Sequence, residues 1–106
     1  MSLTNAKTEF LNHIDGREVL CAFIQYVDEH NNSLLQFLLT TGWIKEEWNE
    51  FLSSLDFEYE SGYGGKNLYG TIWYVDGTWS KRYEYYGYEC WEHHMRPEIP
   101  NELNRA

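Results

Sequence analysis

Residues 69–79, Tyr-Gly-Thr-Ile-Trp-Tyr-Val-Asp-Gly-Thr-Trp, hold two β-rich runs joined by Asp76-Gly77. An Asp-Gly pair between such runs is the strongest short-range hairpin signal, because a type I′ turn needs positive φ at both central positions. A two-residue turn here pairs Val75 with Thr78, Tyr74 with Trp79, Trp73 with Ser80 and Ile72 with Lys81. Continued, it sets Thr71 against Arg82 and Gly70 against Tyr83. An aromatic ring over the bare backbone of a strand glycine is a known device, so the Gly70–Tyr83 pairing supports this register.

Tyr86-Gly87 reads as a second turn, on a weaker signal because tyrosine disfavours positive φ. It places Arg82 beside Trp91, Tyr83 beside Cys90, and Glu84 directly across from Glu89. The two registers together gather Trp73, Arg82, Trp91, Glu84 and Glu89 on one face of a three-stranded meander. Opposed like charges destabilise a strand pair unless a cation lies between them, and Arg82 is two residues from Glu84.

Two readings of that face stand side by side. In one, Arg82 stacks between indoles and pairs with the glutamates as a surface lock worth roughly 1 kcal/mol per contact. In the other, the same groups form a recognition face, since Trp, Tyr and Arg dominate binding hot spots. Tyr63, the one large side chain in the glycine-rich stretch 61–66, joins that candidate surface. The opposite face, with Ile72, Tyr74, Trp79, Tyr83 and Cys90, is equally mixed, so the pattern alone leaves open which side meets solvent.

Upstream, Thr4 to Ile14 predicts a helix capped by Thr4, with Ala6, Phe10, Leu11 and Ile14 on one stripe and Asp15-Gly16 as its stop. Glu18 to Val27 predicts a strand, apolar on both faces at its start and therefore central and covered on both sides. A polar turn at 28–32 leads into a return strand over 33–40. Ile44, Trp48, Phe51, Leu52 and Leu55 keep helical spacing over 45–55, with acids opposite. A short strand at 56–60 and strands near 68–75, 78–85 and 88–95 complete the order, before a proline-punctuated tail from Pro97. The chain reads as one α+β domain over 1–106, an antiparallel sheet of about five or six strands with two helices.

Apolar residues make up 42% of the chain, enough for a core and against disorder. The net charge of −9 repels phosphate backbones and anionic membranes, which argues against direct nucleic-acid or membrane binding, and it attracts basic partners. Two cysteines, Cys21 and Cys90, no signal-peptide pattern and no apolar run of about 18 residues point to a cytoplasmic protein with reduced thiols.

Catalytic and metal chemistry finds little footing in the pattern. Cys90 and His94 point to one side of a strand and His93 to the other, so the three cannot converge on a structural zinc, and no metal or cofactor is expected. Paired carboxylates of the glycosidase kind need a cleft, whereas Glu46, Glu47 and Glu50 read as a solvated helix face. The stretch from Gly62 to Lys66 precedes a strand rather than a helix, so it is no phosphate loop.

Residues 56–65, Asp-Phe-Glu-Tyr-Glu-Ser-Gly-Tyr-Gly-Gly, with Gly-Thr-Ile-Trp at 70–73 and Asp-Gly-Thr-Trp at 76–79, resemble a group of small uncharacterised phage and prophage proteins. The resemblance spans roughly residues 45–100. The group has Asp-Gly at the second turn and an aromatic before Trp91, where this chain has Tyr86-Gly87 and Cys90. It implies an accessory protein acting in a bacterial cytoplasm, with no activity attached. The expected function is non-enzymatic: binding and modulating a host protein with a basic surface, with an acidic, aromatic, DNA-mimic-like face as one form. The alternatives are a nucleotide- or sugar-binding module using stacked aromatics and, behind it, a small hydrolase. The apolar strand at 33–40, where it forms a sheet edge, also invites a homodimer by edge pairing.

Overall fold

The computed structural model describes residues 3–28, 33–60, 67–85, 88–96 and 101–103. In chain order these form β1 (Leu3–Asn5), α1 (Ala6–Ile14), β2 (Val19–Asp28), β3 (Ser33–Leu39), α2 (Lys45–Ser54), β4 (Glu58–Glu60), β5 (Leu68–Tyr74), β6 (Trp79–Tyr85), β7 (Tyr88–His94) and a 3-10 turn at Asn101–Leu103. Five strands make one antiparallel sheet in the order β3-β2-β5-β6-β7, and β1 pairs with β4 in a separate two-stranded sheet. The fold is α+β, with β5–β7 as a C-terminal meander.

The first turn of that meander differs from the expected one by one residue. β5 pairs with β6 as Thr71–Lys81, Ile72–Ser80 and Trp73–Trp79. Val75, Asp76 and Gly77 form a three-residue loop: Gly77 N donates to Tyr74 O at 3.1 Å, and Tyr74 N to Thr78 O at 2.9 Å. Within this loop Gly77 alone takes positive φ, at 88°, and Asp15 is the only described non-glycine residue that does so anywhere. The loop is therefore a type I turn closed by a left-handed glycine, not a type I′ turn. Asp76 accepts from Thr78 N at 2.9 Å and from Thr78 Oγ1 at 2.6 Å, which locks the loop.

That single step moves every cross-strand partner of β5 to the other parity. Gly70 lies opposite Ile24 of β2, with φ at 153°, and a Cβ there would stand 2.4 Å from the Phe23 carbonyl oxygen. Close approach of β2 requires the glycine; Tyr83 does not cover it.

β6 and β7 keep the expected register, with Arg82 against Trp91, Tyr83 against Cys90 and Glu84 against Glu89. The connecting residues Tyr86 and Gly87 lie outside the described residues, as do the turn residues 29–32, Tyr63 with the rest of 61–66, and the tail segment 97–100.

Asn5, not Thr4, caps α1: its side chain accepts from Thr8 N at 2.9 Å, and Thr4 sits in β1 against Tyr59. Glu47 reaches back to Ile44 N at 3.0 Å and so holds the start of α2. Both helices and the β1–β4 pair lie on one face of the large sheet. The core there joins Phe10 and Ile14 of α1, Phe51 of α2, Leu55, and Tyr59 of β4 to Ile24, Leu39, Leu68, Ile72, Tyr74 and Trp91 of the sheet. Phe10 meets Phe51 edge-on at 5.5 Å, and Trp43 stacks on Trp48 at 5.0 Å. Among the described residues no helix covers the opposite face of the sheet, so β2 is central in its hydrogen bonding but covered by helices on one face only: Leu20 is 41% exposed.

Candidate functional site

Strand alternation sorts the sequence-predicted site residues onto two faces. Arg82, Glu89 and Trp91 point inward and are buried, while Trp73 points outward at 42% exposure. Glu84 is exposed near the end of the β6–β7 ladder. Trp73 therefore does not share a surface with Arg82 and Trp91; the one-residue shift at Asp76 separates them. Tyr63 lies outside the described residues.

The inward group is a charge network, sealed from solvent at Arg82 and Glu89 and partly open at Glu9. Arg82 Nη2 donates to Glu89 Oε1 at 2.7 Å and to the Tyr59 hydroxyl at 2.9 Å, and Nη1 donates to Glu9 Oε1 at 3.0 Å. Tyr59 in turn donates to Glu9. Glu89 also accepts from Asn67 N at 2.8 Å and Leu68 N at 3.0 Å, anchoring the start of β5. The guanidinium lies 5.0 Å from the Trp91 ring centre and 5.8 Å from that of Tyr59. Burial opposes the Arg82 charge, yet Glu9, Tyr59 and Glu89 together hold its pKa above the ordinary value. Burial pushes the Tyr59 hydroxyl far above its usual range, Arg82 opposing, so it stays a neutral donor. This network fixes α1, β4, β5, β6 and β7 to one another. It differs from the surface lock of the first reading: it is interior, lacks Trp73 and draws in Glu9 and Tyr59.

Beside it, His13 Nε2 lies 2.7 Å from Ser80 Oγ, which lies 2.8 Å from the Tyr74 hydroxyl. The spacing is that of a nucleophile and its base, but Ser80 is fully buried and already shared with Tyr74. His13 also stacks on Trp91 at 6.2 Å, and Arg17 lies 5.7 Å from the Tyr74 ring. Burial, then the charges of Arg17, His93 and Arg82, lowers the His13 pKa to about 4. A histidine so placed is neutral at pH 7 and acts as a half-buried hydrogen-bonding group. Burial also raises both thiols, Cys21 and Cys90, above their ordinary value, which disfavours the reactive thiolate.

The outward face carries the accessible chemistry. Cys21, Trp73, Trp79 and His94 stand side by side across four strands, and Trp79 stacks on His94 at 5.8 Å with ring planes 11° apart. The next row is Phe23, Thr71, Lys81 and Glu92. Tyr69, Tyr83 and Tyr88 continue the same side, at 38%, 41% and 48% exposure. This surface is an aromatic sheet with Lys81 set among the rings between Trp79 and Tyr83, and among the described residues Trp73 alone connects it to the sequence-based candidate set.

Glu9, Tyr59 and His13 were not among the expected site residues. Glu9 and His13 are four apart and border the stripe Ala6, Phe10 and Ile14, so polar groups flanking a buried stripe were the available signal. Among the described residues no group of three or more His, Cys, Asp or Glu side chains converges to hold a metal, and no helix is long and apolar enough to cross a membrane. No protein-family model matches the chain, and no curated protein or solved structure matches it either.

Proposed function

We propose that this is a small acidic accessory protein of the phage or prophage kind, without catalysis of its own, that binds and modulates a host protein bearing a basic surface. The observation that carries the reading is the outward face of the sheet, where Trp73, Trp79, Tyr69, Tyr83 and Tyr88 lie together opposite the face that both helices cover. Aromatics at that density suit a hot spot, and the net charge of −9 supplies long-range attraction to a cationic partner. Sealed Ser80 and the raised thiols speak against covalent catalysis.

The test compares the protein with a Trp73→Ser/Tyr83→Ser variant as baits in host lysate at low and high salt. A partner retained by the parent at low salt, released at high salt and missed by the variant is the expected result. Equal capture by both baits would remove the outward face from the reading.

The row Trp73–Trp79–His94 favours a second reading, a planar ligand stacked on the sheet. The chain's charge selects a neutral sugar over a nucleotide. A sugar panel that leaves tryptophan emission unchanged would dismiss it.

A further inference from the structure

β3 is an edge of the five-stranded sheet: β2 is its one neighbour among the described strands. Edge strands leave alternate backbone N–H and C=O groups pointing outward, and natural edges are usually protected by Lys, Pro, bulges or brevity. β3 has none of these. Its seven residues, Ser-Leu-Leu-Gln-Phe-Leu-Leu, carry no charge and no proline, and its ladder with β2 runs without a break from Ser33 to Leu39. Leu34 and Leu38 on the outward side are 56% and 64% exposed.

The inward side of the same edge is different. At this edge β3 and α2 flank an open cleft of about 210 Å³ lined by Gln36, Phe37, Leu38, Glu47, Glu50 and Phe51, with Ser54 at its margin, and Phe37 is the one of the three β3 residues that faces inward. Phe37 and Phe51 give it an apolar floor, and the exposed carboxylates of Glu47 and Glu50 stand one helical turn apart above it. An added strand would thus meet Leu34 and Leu38 through one set of alternate side chains, and Leu35, which is 48% exposed, together with the carboxylates of Glu47 and Glu50 through the other.

We infer that β3 receives an extended segment of a partner protein as a sixth strand, one in which apolar residues alternate with Lys or Arg. Its main chain pairs with the β3 edge, its apolar side chains pack on Leu34 and Leu38, and its cations enter the cleft beside Glu50 and Glu47. Charge decides between this occupant and a second copy of the chain. Self-pairing about Gln36 would bring two acidic chains together with Glu47 and Glu50 of each copy beside the same edge, whereas a basic segment neutralises them.

The inference rests on the reading of the chain as a binder of basic partners, and the two fail separately. The Trp73→Ser/Tyr83→Ser variant leaves the β3 edge intact, and Glu50→Lys leaves the outward aromatic face intact. The probe is a short fluorescein-labelled peptide alternating valine and lysine, titrated with the protein by fluorescence anisotropy. Expected are salt-sensitive binding, no binding of the valine–glutamate counterpart, and loss of binding when alternate peptide nitrogens are methylated. Glu50→Lys weakens binding by about tenfold or more and Glu50→Gln by less, as expected for a rim charge pair. Unchanged affinity in Glu50→Lys, equal binding of the methylated peptide, or no binding at all overturns the inference. So does a parent protein that sediments as a dimer and becomes monomeric in Leu38→Lys, since a second copy then holds the edge.

Discussion

Arg82 Nη2 and Glu89 Oε1 are 2.7 Å apart with both side chains sealed from solvent. Removing one partner of such a pair strands the other charge in the interior, at a cost of about 3–5 kcal/mol. Arg82→Met is therefore expected to lower the urea-unfolding free energy by that amount, since Glu9 and Glu89 both lose their cation. Adding Glu89→Gln to Arg82→Met should cost less than the two single changes summed. A double-mutant cycle with no coupling would contradict the geometry.

Acid should weaken the fold through His13. Its folded pKa is about 4 against an ordinary 6.5, so between those values the unfolded chain binds the extra proton. Stability from this group is complete above about pH 6.5 and is lost as pH falls toward 4. The full shift is discounted because the ring keeps solvent contact, which leaves on the order of 1–2 kcal/mol. Arg17, Arg82 and His93 face the ring and oppose its protonation. Chemical denaturation at pH 7 and pH 4.5 should show the loss in the parent, and His13→Gln should shrink the difference.

Gly70→Ala should be severe and Gly77→Ala mild. At Gly70 a Cβ would stand 2.4 Å from the Phe23 carbonyl oxygen, where backbone must move. The expected cost is about 2–4 kcal/mol, or a melting temperature lower by roughly 10 °C or more. At Gly77 nothing lies within 4 Å, and the cost is only that of a left-handed alanine, about 1 kcal/mol. Similar melting temperatures for the two variants would refute the close β2–β5 approach.

Two of the tryptophans should behave as opposites. Trp73 is 42% exposed and Trp91 is 6% exposed against Arg82 and His13. Trp73→Phe should remove much of the acrylamide-quenchable emission and change stability by no more than about 0.5 kcal/mol. Trp91→Phe should leave quenching nearly intact and cost about 2 kcal/mol, through lost packing on the guanidinium.

Element type and order were readable from periodicity and turn residues, because 3.6-residue and two-residue patterns report directly which side chains share a face. Register at Asp76-Gly77 was not. The same dipeptide serves a two-residue turn and a three-residue loop, and the choice depends on whether Val75 leaves the strand. β1 was invisible for a related reason: Thr4 and Asn5 are both good caps, and only pairing with Glu58–Glu60 decides which one serves. Strand alternation put Arg82 on one face with Glu84 and Glu89, but which carboxylates pair with it, and its burial, depend on Glu9 and Tyr59, distant in sequence. No local pattern carries that information.

The pairing of Leu3 with Glu60 has a kinetic meaning. Leu3 and Glu60 pair only when a loop of more than fifty residues closes, and the Glu9–Arg82 bond spans a still longer loop of sequence. Closing such loops costs entropy before any contact repays it, so folding should be slow for a chain of this size, on a timescale of roughly milliseconds to seconds. During that wait the neutral β3 segment is available to any neighbouring strand, which makes the interval before closure the period of greatest aggregation risk.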